Sequence, residues 1–422
     1  MTDLLRRTLT DRDFIDAHRQ RPQDFTRQRA LPFATVVTWL LLNFQSSMRQ
    51  ALQRLLDDLS GGRQSAVTKG ALTQARAKLK PSALIALNAS IVRHAEQGGR
   101  LARWMGHRLL AVDGSSLRLQ AFAELAKAFG GLRHERGLRP LARVSFAFDV
   151  LNRMVVSAAL APWKQGERAL FAQQLDAMGA GDMMLFDRGY PALWLFALVR
   201  SRGAHSCARI DAGLWSRAFD LLVNDTRELC YVAHLTERAR RVCGEFGVEC
   251  ASLRLRIVRV RLATGEQEYL VTSLCDAERY PLHLFGDLYA RRWAVEEGYK
   301  QLKCRLTAEN FSGKSALAVE QDFHARVLLM NLTNLFVLEA DRRIDKRCAH
   351  REHRYQTNRH YALAQVRRWL PRLLLGRATV TLVAMILRRL SSEPEAVRPE
   401  RSYPREPRPL QRGYPFAYKA VA

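Results

Sequence analysis

Two short apolar runs, each followed by an aspartate, constrain the fold of this 422-residue chain more than any other feature. Leu109–Val112 precedes Asp113-Gly114-Ser115, and Asp182–Phe186 precedes Asp187-Arg188-Gly189-Tyr190. Apolar runs of four or five residues bounded by Gly, Asp or Ser are typical of strands buried on both faces of a sheet. Because active sites in α/β proteins are built at the carboxyl ends of strands, both aspartates are candidate functional residues. The alternative is that Asp113-Gly114 is an ordinary turn.

The segments around the two runs predict more sheet and several helices. Apolar residues alternate from Val144 to Val150, and after Asn152-Arg153 the chain enters a second strand-like stretch over 154–160, which together predict a hairpin. Helices are predicted over 167–178 and 192–202. Since strands and helices interleave, this part of the chain is predicted to be an α/β domain with a mixed sheet.

The charge of the chain predicts its class of partner. There are 67 Lys and Arg against 41 Asp and Glu, which gives a formal net charge of +26. A surplus of this size favours a polyanionic partner, and nucleic acid is the first candidate. Seven cysteines without a C-x-x-C pair indicate reduced thiols in a cytosolic protein. The longest apolar stretch, 30–44, is shorter than the ~20 residues of a membrane span, so we expect no membrane association.

The first 104 residues are predicted to be helical. Apolar residues at spacings of three and four run from Val36 to Leu55, and Gly61-Gly62 closes that helix. Helices over 67–79 and 82–94 are joined by a tight turn, like a helix-turn-helix, and one face of them is a candidate for DNA contact. That face carries Lys69, Thr73, Arg76 and Lys80. The alternative is a solvated helix face.

Residues 210–280 predict a β-rich insertion. Leu253, Leu255 and Ile257 alternate with arginines, and Thr264-Gly265 turns the chain into a partner strand over 268–274. The first strand is thus predicted to carry one basic face, formed by Arg254, Arg256, Arg259 and Arg261.

The chain after this insertion is predicted to be helical, with a basic end. Helices are predicted over 282–305 and 315–340. The last 82 residues carry 19 basic and 7 acidic side chains. The Pro- and Arg-rich stretch after Ser391 predicts a loosely ordered basic tail.

One predicted helix carries an unusual polar face. Tyr289, Arg292, Glu296, Lys300 and Lys303 lie at offsets 0, 3, 7, 11 and 14, which keep to one side of an α-helix. The alternative is a solvent-exposed face whose ion pairs each stabilise the helix by a few tenths of a kcal/mol. Apolar neighbours indicate that the same helix also packs on a core: Leu282, Leu284, Leu288, Trp293 and Val295. A polar stripe beside a packed face suits a site for anions and a metal.

These residues resemble a known signature. Tyr289-x2-Arg292-x3-Glu296-x6-Lys303 is similar to the Y-R-E-K signature of DDE transposases of the bacterial insertion-sequence-four family. Asp113-Gly114-Ser115 resembles the region around the first catalytic aspartate of that family, and Asp187-Arg188-Gly189-Tyr190 the segment around the second. The order of the carboxylates and the β-rich insertion before the glutamate also match. The resemblance covers roughly residues 25 to 340.

The resemblance implies a fold and a division of the chain. The fold class is α/β, a ribonuclease-H-like mixed sheet of five strands with helices on both faces and a β-rich insertion, preceded by an all-helical N-terminal region. We expect a DNA-binding region over 1–104, a catalytic domain over 105–345 with its insertion at about 210–280, and a basic segment and tail over 346–422.

The resemblance also implies the chemistry. Asp113, Asp187 and Glu296 are expected to be the catalytic residues and to hold two Mg²⁺ ions, with Mn²⁺ as a substitute. Two such ions roughly 4 Å apart activate the attacking oxygen and stabilise the leaving one, and carboxylate oxygens suit Mg²⁺. Asp113 is expected to bridge them. By the same resemblance Tyr289, Arg292 and Lys303 hold DNA phosphates, and Lys300 is a further DNA-binding candidate on the same face.

The implied reaction sets the expected partners. Water attacks at the end of the element and frees a 3′-hydroxyl, which then attacks the opposite strand and later the target. The partners are therefore double-stranded DNA, as terminal inverted repeats and as target, with a homodimer on paired ends. The expected location is the bacterial cytosol, at the nucleoid.

Two other functions remain open. One is a transposase-derived DNA-binding protein that no longer cleaves. The other is a different ribonuclease-H-like nuclease, such as a junction resolvase, which the Y-R-E-K face and the β-rich insertion disfavour. Inverted repeats flanking the coding region would distinguish the transposase from both.

Salt dependence tests where the DNA surface lies. Removing residues 393–422 takes away six basic and four acidic side chains. The slope of log affinity against log salt should then change by at most about two units, since each neutralised phosphate releases about one counterion. The measurement is binding to an end-containing duplex across a salt series, full-length chain against truncated chain. Loss of most of the salt dependence would place the DNA surface in the tail instead.

Overall fold

The computed structural model describes most of the chain, namely residues 1–27, 30–42, 47–60, 67–135, 137–210, 215, 226–261, 265, 267–376 and 380–398. These residues form two compact units. The first contains the described residues of 1–100, 117–141 and 300–422, and the second contains 101–116 and those of 142–299. The division into three functional parts predicted from the sequence stays a prediction.

The strands are β1 (Arg108–Arg118), β2 (Gly131–His134), β3 (Gly137–Asp149), β4 (Met154–Pro162), β5 (Asp182–Phe186), β6 (His205–Arg209), β7 (Glu228–His234), β8 (Ser252–Arg261), β9 (Gln267–Thr272), β10 (Tyr355–Gln356) and β11 (Glu395–Ala396). The α-helices are α1 (Thr2–Thr10), α2 (Arg12–His18), α3 (Phe33–Leu42), α4 (Met48–Ser60), α5 (Lys69–Arg76), α6 (Ser82–Gln97), α7 (Ala123–Phe129), α8 (Glu167–Ala172), α9 (Leu193–Ser201), α10 (Glu237–Glu245), α11 (Leu284–Ala290), α12 (Ala294–Lys300), α13 (Ala316–Arg347), α14 (Arg359–Leu374) and α15 (Val380–Ser392).

A mixed sheet forms the centre of the second unit. Within the described residues this sheet has nine strands in the order β2-β3-β1-β5-β6-β9-β8-β7, and β4 pairs with β3 outside this path. β5 pairs in parallel with β1 on one side and with β6 on the other. The pairs β3–β4, β6–β9, β9–β8 and β8–β7 are antiparallel. The predicted α/β class with a mixed sheet is confirmed, and five of its strands, β4-β3-β1-β5-β6, correspond to the five-stranded sheet that the resemblance implies. The predicted hairpin is β3 and β4.

The two apolar runs are the central strands of this sheet. Leu109–Val112 of β1 and Met183–Phe186 of β5 are completely buried. Both runs are continuously apolar because a parallel strand is covered on both faces. Of the predicted helices, the one over 167–178 is α8 followed by a short 3₁₀ turn at Leu175–Ala177, and the one over 192–202 is α9.

In the described residues the β-rich insertion contains β7, β8, β9 and the helix α10, and its strands extend the central sheet through the pairing of β9 with β6. The single basic face predicted for its first strand is wrong at Arg256. That side chain is buried, forms an ion pair with Glu228 and donates to the Tyr280 carbonyl at 2.7 Å. The reason is that α11 packs against β8 at this position, where the Arg256 guanidinium lies 5.2 Å from the Phe285 ring centroid, whereas Arg254 and Arg261 are exposed.

The first unit is built around α13. This helix packs against α3, α6, α14 and α15, and its stretch from Gln321 to Asn334 is buried without interruption. Several polar side chains in that stretch have hydrogen-bond partners, as burial requires; Asn331 donates to Asn88 Oδ1 at 2.7 Å, and Gln321 donates to the Leu79 carbonyl at 2.7 Å. The helix predicted over 315–340 therefore exists and extends to Arg347.

The helix predicted from Val36 to Leu55 is in fact two helices, α3 and α4. Ser47 is not helical, and its hydroxyl accepts a hydrogen bond from the Gln50 amide at 3.3 Å, which caps the start of α4. Residues 43–46 lie outside the described structure, as does Gly61-Gly62, which was predicted to close the helix.

The predicted DNA-contacting face of the helix-turn-helix is wrong at Arg76. This side chain is buried and forms an ion pair with Asp322 at 2.8 Å. Its guanidinium also donates to Gln321 Oε1 at 2.6 Å and to Ser312 Oγ at 2.5 Å. Arg76 lies with Leu72 on the buried side of α5. Lys69 and Thr73 remain exposed.

Two further predictions, the basic tail and the turn of the insertion, concern residues of which the structure describes only a part. Residues 399–422 of the predicted basic tail, and Thr264 in the predicted turn of the insertion, lie outside the described structure. The start of the tail is ordered, because Glu395-Ala396 forms β11 and pairs with β10. Within the described ranges, no helix is long and apolar enough to cross a membrane. The cytoplasmic location stays a prediction.

The buried ion pair of Arg76 predicts a large stability effect. Arg76→Met leaves the Asp322 carboxylate buried without its main partner, and the free energy of unfolding should fall by about 3–5 kcal/mol. The control Lys69→Ala, at an exposed position of the same helix, should change it by less than about 0.5 kcal/mol. Urea denaturation of both variants measures this. A small effect of Arg76→Met together with weaker DNA binding would restore the interpretation of Arg76 as a DNA contact.

Candidate active site

The register of two strands places Asp113 beside Asp187. Val112 and Phe186 are the last pair of the parallel ladder between β1 and β5, and each aspartate is the next residue. The prediction that Asp113 ends its strand is corrected, because β1 continues to Arg118. Asp113 has extended backbone and is the first residue of β1 after its pairing with β5 ends. The alternative of an Asp-Gly turn is therefore wrong.

Each aspartate is oriented by a backbone amide close in sequence. The Gly114 amide donates to Asp113 Oδ1 at 2.8 Å, and the Gly189 amide donates to Asp187 Oδ1 at 2.8 Å. Tyr190 anchors the second loop, since its ring is buried and stacks on Phe186 with ring centroids 5.4 Å apart. The D-x-G-Y segment thus consists of a carboxylate, a donor to that carboxylate and an aromatic anchor.

The surroundings of Asp113 disfavour its negative charge. Burial raises the pKa of Asp113 to about 6. The hydrogen bond from Gly114 and the nearby Arg292 guanidinium lower this pKa, whereas the negative charges of Asp187 and Glu167 raise it further. Carboxylates placed together repel, so their ionised forms require a positive counter-charge.

The helical segment predicted over 282–305 is confirmed, but it is not one uniform α-helix. It consists of α11, a 3₁₀ turn at Arg291–Trp293, α12, and a π-helical turn at Gln301–Arg305. The five polar residues therefore do not share one face of a regular α-helix, as their spacing predicted. Tyr289 and Arg292 are buried, whereas Glu296 and Lys300 are exposed.

The helix that carries Glu296 is fixed against Asp113 and β3. The Tyr299 hydroxyl donates to the Asp113 carbonyl oxygen at 2.7 Å, and its ring stacks on Phe146 with centroids 4.5 Å apart and an interplanar angle of 8°. A Cβ atom at Gly298 would lie 3.0 Å from the Phe148 ring, closer than an ordinary contact, so glycine lets the helix approach this ring without displacing it. These contacts place Glu296 one helical turn before a residue bonded to Asp113.

Tyr289 and Arg292 lie near the two aspartates. Burial raises the pKa of Tyr289, and Asp187 is among the charged groups near it. The Arg292 guanidinium lies 5.8 Å from the Tyr289 ring centroid and 5.2 Å from that of Trp293. Within the described structure the buried Nε of Arg292 has no hydrogen-bond partner. Trp293, predicted to pack on the core, is 59% exposed instead, because the buried side of this segment is formed by Leu288, Arg292 and Val295.

Lys300 and Lys303 belong to the first compact unit, whereas the three carboxylates, Tyr289 and Arg292 belong to the second. Burial lowers the pKa of Lys303, and Glu309 opposes that change. Lys303 lies in the π-helical turn, so its direction differs from the one that a regular α-helix predicts.

The donor chemistry of the site fits a hard divalent cation. Asp113 and Asp187 offer carboxylate oxygens, the ligands that Mg²⁺ prefers, and burial disfavours the charge of Asp113 without a cation. In the part of the chain that the structure describes, no group of three or more Asp, Glu, His or Cys side chains is arranged to hold a metal ion. The structure therefore juxtaposes two of the predicted carboxylates and places Glu296 on the helix docked beside them.

Three residues near the aspartates were not predicted from the sequence as site residues. Glu167 lies against Gly114, Arg143 forms an ion pair with Glu167 at 2.7 Å, and Tyr299 bonds to Asp113. Among these three residues, only Tyr299 could have been found from the sequence, because it follows Glu296 by one helical turn. The contact of Glu167 joins segments some fifty residues apart and leaves no pattern in the sequence.

Comparison with known proteins identifies the chain. A family model described as "Transposase DDE domain" matches residues 104–332. The chain therefore belongs to the transposase DDE domain family and is a DDE transposase, a polynucleotidyl transferase. It is 26% identical over 318 residues to "Transposase InsG for insertion sequence element IS4" of Escherichia coli (strain K12), covering 72% of this chain and 70% of that protein. The resemblance to insertion-sequence-four transposases is confirmed.

A solved structure is also similar. It is the cryo-EM structure of the piggyBac transposase synaptic complex with hairpin DNA, with a TM-score of 0.44 and 10% sequence identity, covering 91% of this chain and 84% of that one.

The raised pKa of Asp113 predicts a pH-dependent stability difference. Its folded-state pKa of about 6 exceeds the ordinary value of 3.8, so the folded protein binds more protons between these values and loses stability as pH rises from about 4 to 6. Asp113→Asn removes this loss and should stabilise the metal-free protein by about 1–3 kcal/mol at pH 7, with no gain at pH 4. Denaturation in the presence of a chelator measures this.

A second acid provides the internal reference. Burial also raises the pKa of Asp149 to about 6, but Asp149 is present in both proteins and cancels in the difference. Identical pH profiles for the wild type and Asp113→Asn would contradict the assignment of the shift to Asp113.

Proposed function

We propose that this transposase binds the ends of an insertion sequence and catalyses metal-dependent strand cleavage and strand transfer there by a DDE mechanism. The observation that carries the proposal is the juxtaposition of Asp113 and Asp187 across the β1–β5 ladder, with the helix of Glu296 bonded to Asp113 through Tyr299. The family match supports it.

Asp113, Asp187 and Glu296 are the proposed cation ligands, with Asp113 shared between two Mg²⁺ ions and Mn²⁺ as a substitute. When bound, such ions activate an oxygen nucleophile and stabilise the leaving oxygen of a phosphodiester. The protein contributes orientation, since the Gly114 and Gly189 amides each hold one oxygen of an aspartate. Glu296 is exposed, so its carboxylate is accessible from solvent.

Arg292 and Tyr289 are proposed to position the scissile phosphate. A guanidinium presents a planar fork that matches phosphate oxygens. Arg292 is buried near Asp113, and its Nε lacks a partner in the described structure. A phosphate at this position would satisfy that donor. Because Arg292 packs against the rings of Tyr289 and Trp293, its direction is fixed before DNA binds.

Lys300 and Lys303 are proposed as further DNA contacts. Lys300 is exposed on α12, and Lys303 is partly buried. An ammonium group supplies a point charge to the backbone but does not fix its orientation, so these residues contribute affinity more than geometry.

The partners follow from the reaction. The substrates are double-stranded terminal inverted repeats and target DNA, and a homodimer would hold two ends together. The net charge of +26 supports a DNA partner. The second candidate, a DNA-binding protein without cleavage activity, is disfavoured because all three carboxylates are present and the helix of Glu296 is docked.

Isosteric substitution of each carboxylate tests the proposal. Asp113→Asn, Asp187→Asn and Glu296→Gln should each reduce Mg²⁺-dependent end cleavage by at least about 10³-fold, because each removes an anionic ligand from the cation. Binding to the same end-containing duplex should remain within about threefold, since the basic surface is unchanged. A gel-based cleavage assay and a binding titration measure the two quantities. Wild-type cleavage by any one of these variants would exclude that residue from the set.

The matched comparison of Arg292 and Lys300 tests the phosphate assignment in the same assays. Arg292→Ala should lower the cleavage rate more than Lys300→Ala, because the guanidinium fixes orientation as well as charge. Equal and negligible effects would exclude Arg292 from positioning the phosphate and leave its guanidinium a structural role.

A further inference from the structure

A cavity of about 560 Å³ lies between α4 and α14 in the first compact unit, next to the end of α3. Buried apolar side chains form part of its lining, among them Leu42, Leu55 and Leu363. Four guanidinium groups also line it, those of Arg54 on α4 and of Arg367, Arg368 and Arg372 on α14. None of its described lining residues belongs to the candidate active site.

Three of the four guanidiniums are accessible from solvent. Arg54, Arg368 and Arg372 are exposed, whereas Arg367 is partly buried. The Nη2 atom of Arg367 donates to the Leu42 carbonyl at 3.5 Å, at the end of α3. Burial and the positive charge of Arg54 lower the pKa of Arg367. Two helices thus bring like charges close enough to act on each other at this cavity.

Acidic side chains offset this charge only in part. Asp57 and Asp58 of α4 also line the cavity, so two carboxylates face four guanidiniums there. In the described structure, neither aspartate and none of the three exposed arginines forms an ion pair. Arg76, Arg108 and Arg256, in contrast, are each paired with an acid. The cavity therefore keeps an excess of two positive charges.

The ring of Trp369 orients the guanidiniums on the α14 side. Trp369 lines the cavity too, and the guanidiniums of Arg368, Arg372 and Arg389 lie 5.4, 5.2 and 5.7 Å from its centroid. A ring face attracts a cation, but like charges four residues apart destabilise a helix, as Arg368 and Arg372 are. The guanidiniums are thus held near one another although they repel.

An ordinary solvated face explains this arrangement poorly. A solvated surface has no need to bring guanidiniums together, since like charges repel. Here they converge on a concave opening, whose apolar walls strengthen their field and attract anions. A guanidinium fork matches phosphate oxygens. Because three of the groups are exposed, they can be reached by an extended polyanion that passes over the opening, and for a transposase that polyanion is DNA.

We propose that this cavity binds the phosphate backbone of double-stranded DNA through Arg54, Arg368 and Arg372. The contact is additional to the proposed cation site and to the Y-R-E-K segment, and the sequence did not predict any of the three residues as a DNA contact. Phosphate oxygens carry no base identity, so this contact adds affinity for duplexes of any sequence.

Binding of duplex DNA across a salt series tests the proposal. Full-length wild type and the triple variant Arg54→Gln/Arg368→Gln/Arg372→Gln are titrated by fluorescence anisotropy with a chelator present. Two duplexes of equal length are used, one containing the element end and one of unrelated sequence. The slope of log affinity against log salt should fall by about two to three units, and the affinity at about 0.1 M salt by about tenfold or more, equally for both duplexes.

A matched variant controls for total charge. Lys127→Gln/Arg200→Gln/Arg343→Gln removes three positive charges at exposed positions of α7, α9 and α13 that do not line the cavity. Its slope should stay within about one unit of the wild-type slope. Lysine at the three cavity positions keeps the charge and should retain most of the slope. Glutamine and lysine have helix propensities close to that of arginine, and circular dichroism verifies that each variant is folded.

Each contrary outcome has a distinct meaning. An unchanged slope in the cavity variant, with DNA bound by the wild type, would overturn the proposal. An equal loss in the control variant would do so as well, because total charge would then set the affinity. A loss confined to the end-containing duplex would exclude a backbone contact. The assay contains no free divalent cation, so failure of the proposed cleavage mechanism would leave these results unchanged.

A second copy of the chain is the other occupant that the test distinguishes. Sedimentation velocity of the wild type and the cavity variant without DNA measures the oligomeric state. Dissociation of a wild-type oligomer in the variant, together with an unchanged salt slope, would assign the cavity to contact between copies and overturn the proposal. Equal sedimentation with a reduced slope would support DNA as the occupant.

Discussion

The parallel pairing of β1 with β5 is the constraint on which the site depends. The ladder ends at Val112 and Phe186, so Asp113 and Asp187 must follow it side by side. Burial of Asp113 raises its pKa, and the negative charge of Asp187 beside it raises it further. The protein offsets this only in part, through a backbone amide to each aspartate and the Arg292 guanidinium. A site built in this way gives up some stability of the isolated protein, as functional sites commonly do.

The second determinant is the attachment of α12. Tyr299 bonds to the carbonyl oxygen of Asp113 and not to its carboxylate, so the docking of the helix does not depend on the charge of that side chain. Stacking on Phe146 and the close approach of Gly298 to Phe148 fix the helix on β3. Under the proposed function, this separation lets the carboxylates bind and release a cation while the geometry of the site is kept.

The positions of the arginines show that net charge does not locate a binding surface. Arg76, Arg108 and Arg256 are all buried, and each forms an ion pair, with Asp322, Asp182 and Glu228 respectively. A buried guanidinium must be paired because an uncompensated charge costs several kcal/mol. These ion pairs cancel in the net charge of +26, but they show that an arginine in the sequence is not by itself a residue that meets a phosphate. The stripe of arginines on β8 is accordingly not a continuous basic face.

What the sequence alone determined was local: the apolar runs of β1 and β5, the hairpin, the order of the two aspartates and the glutamate, and the family they resemble. These follow from periodicity and from residues within a few positions of one another. Tertiary structure decided the rest. It buried Arg76 and Arg256, exposed Trp293, interrupted the signature helix with 3₁₀ and π turns, and brought Glu167 against Gly114. Such contacts join residues tens to hundreds of positions apart, and burial is decided by what covers a residue from elsewhere in the chain, which no local pattern records.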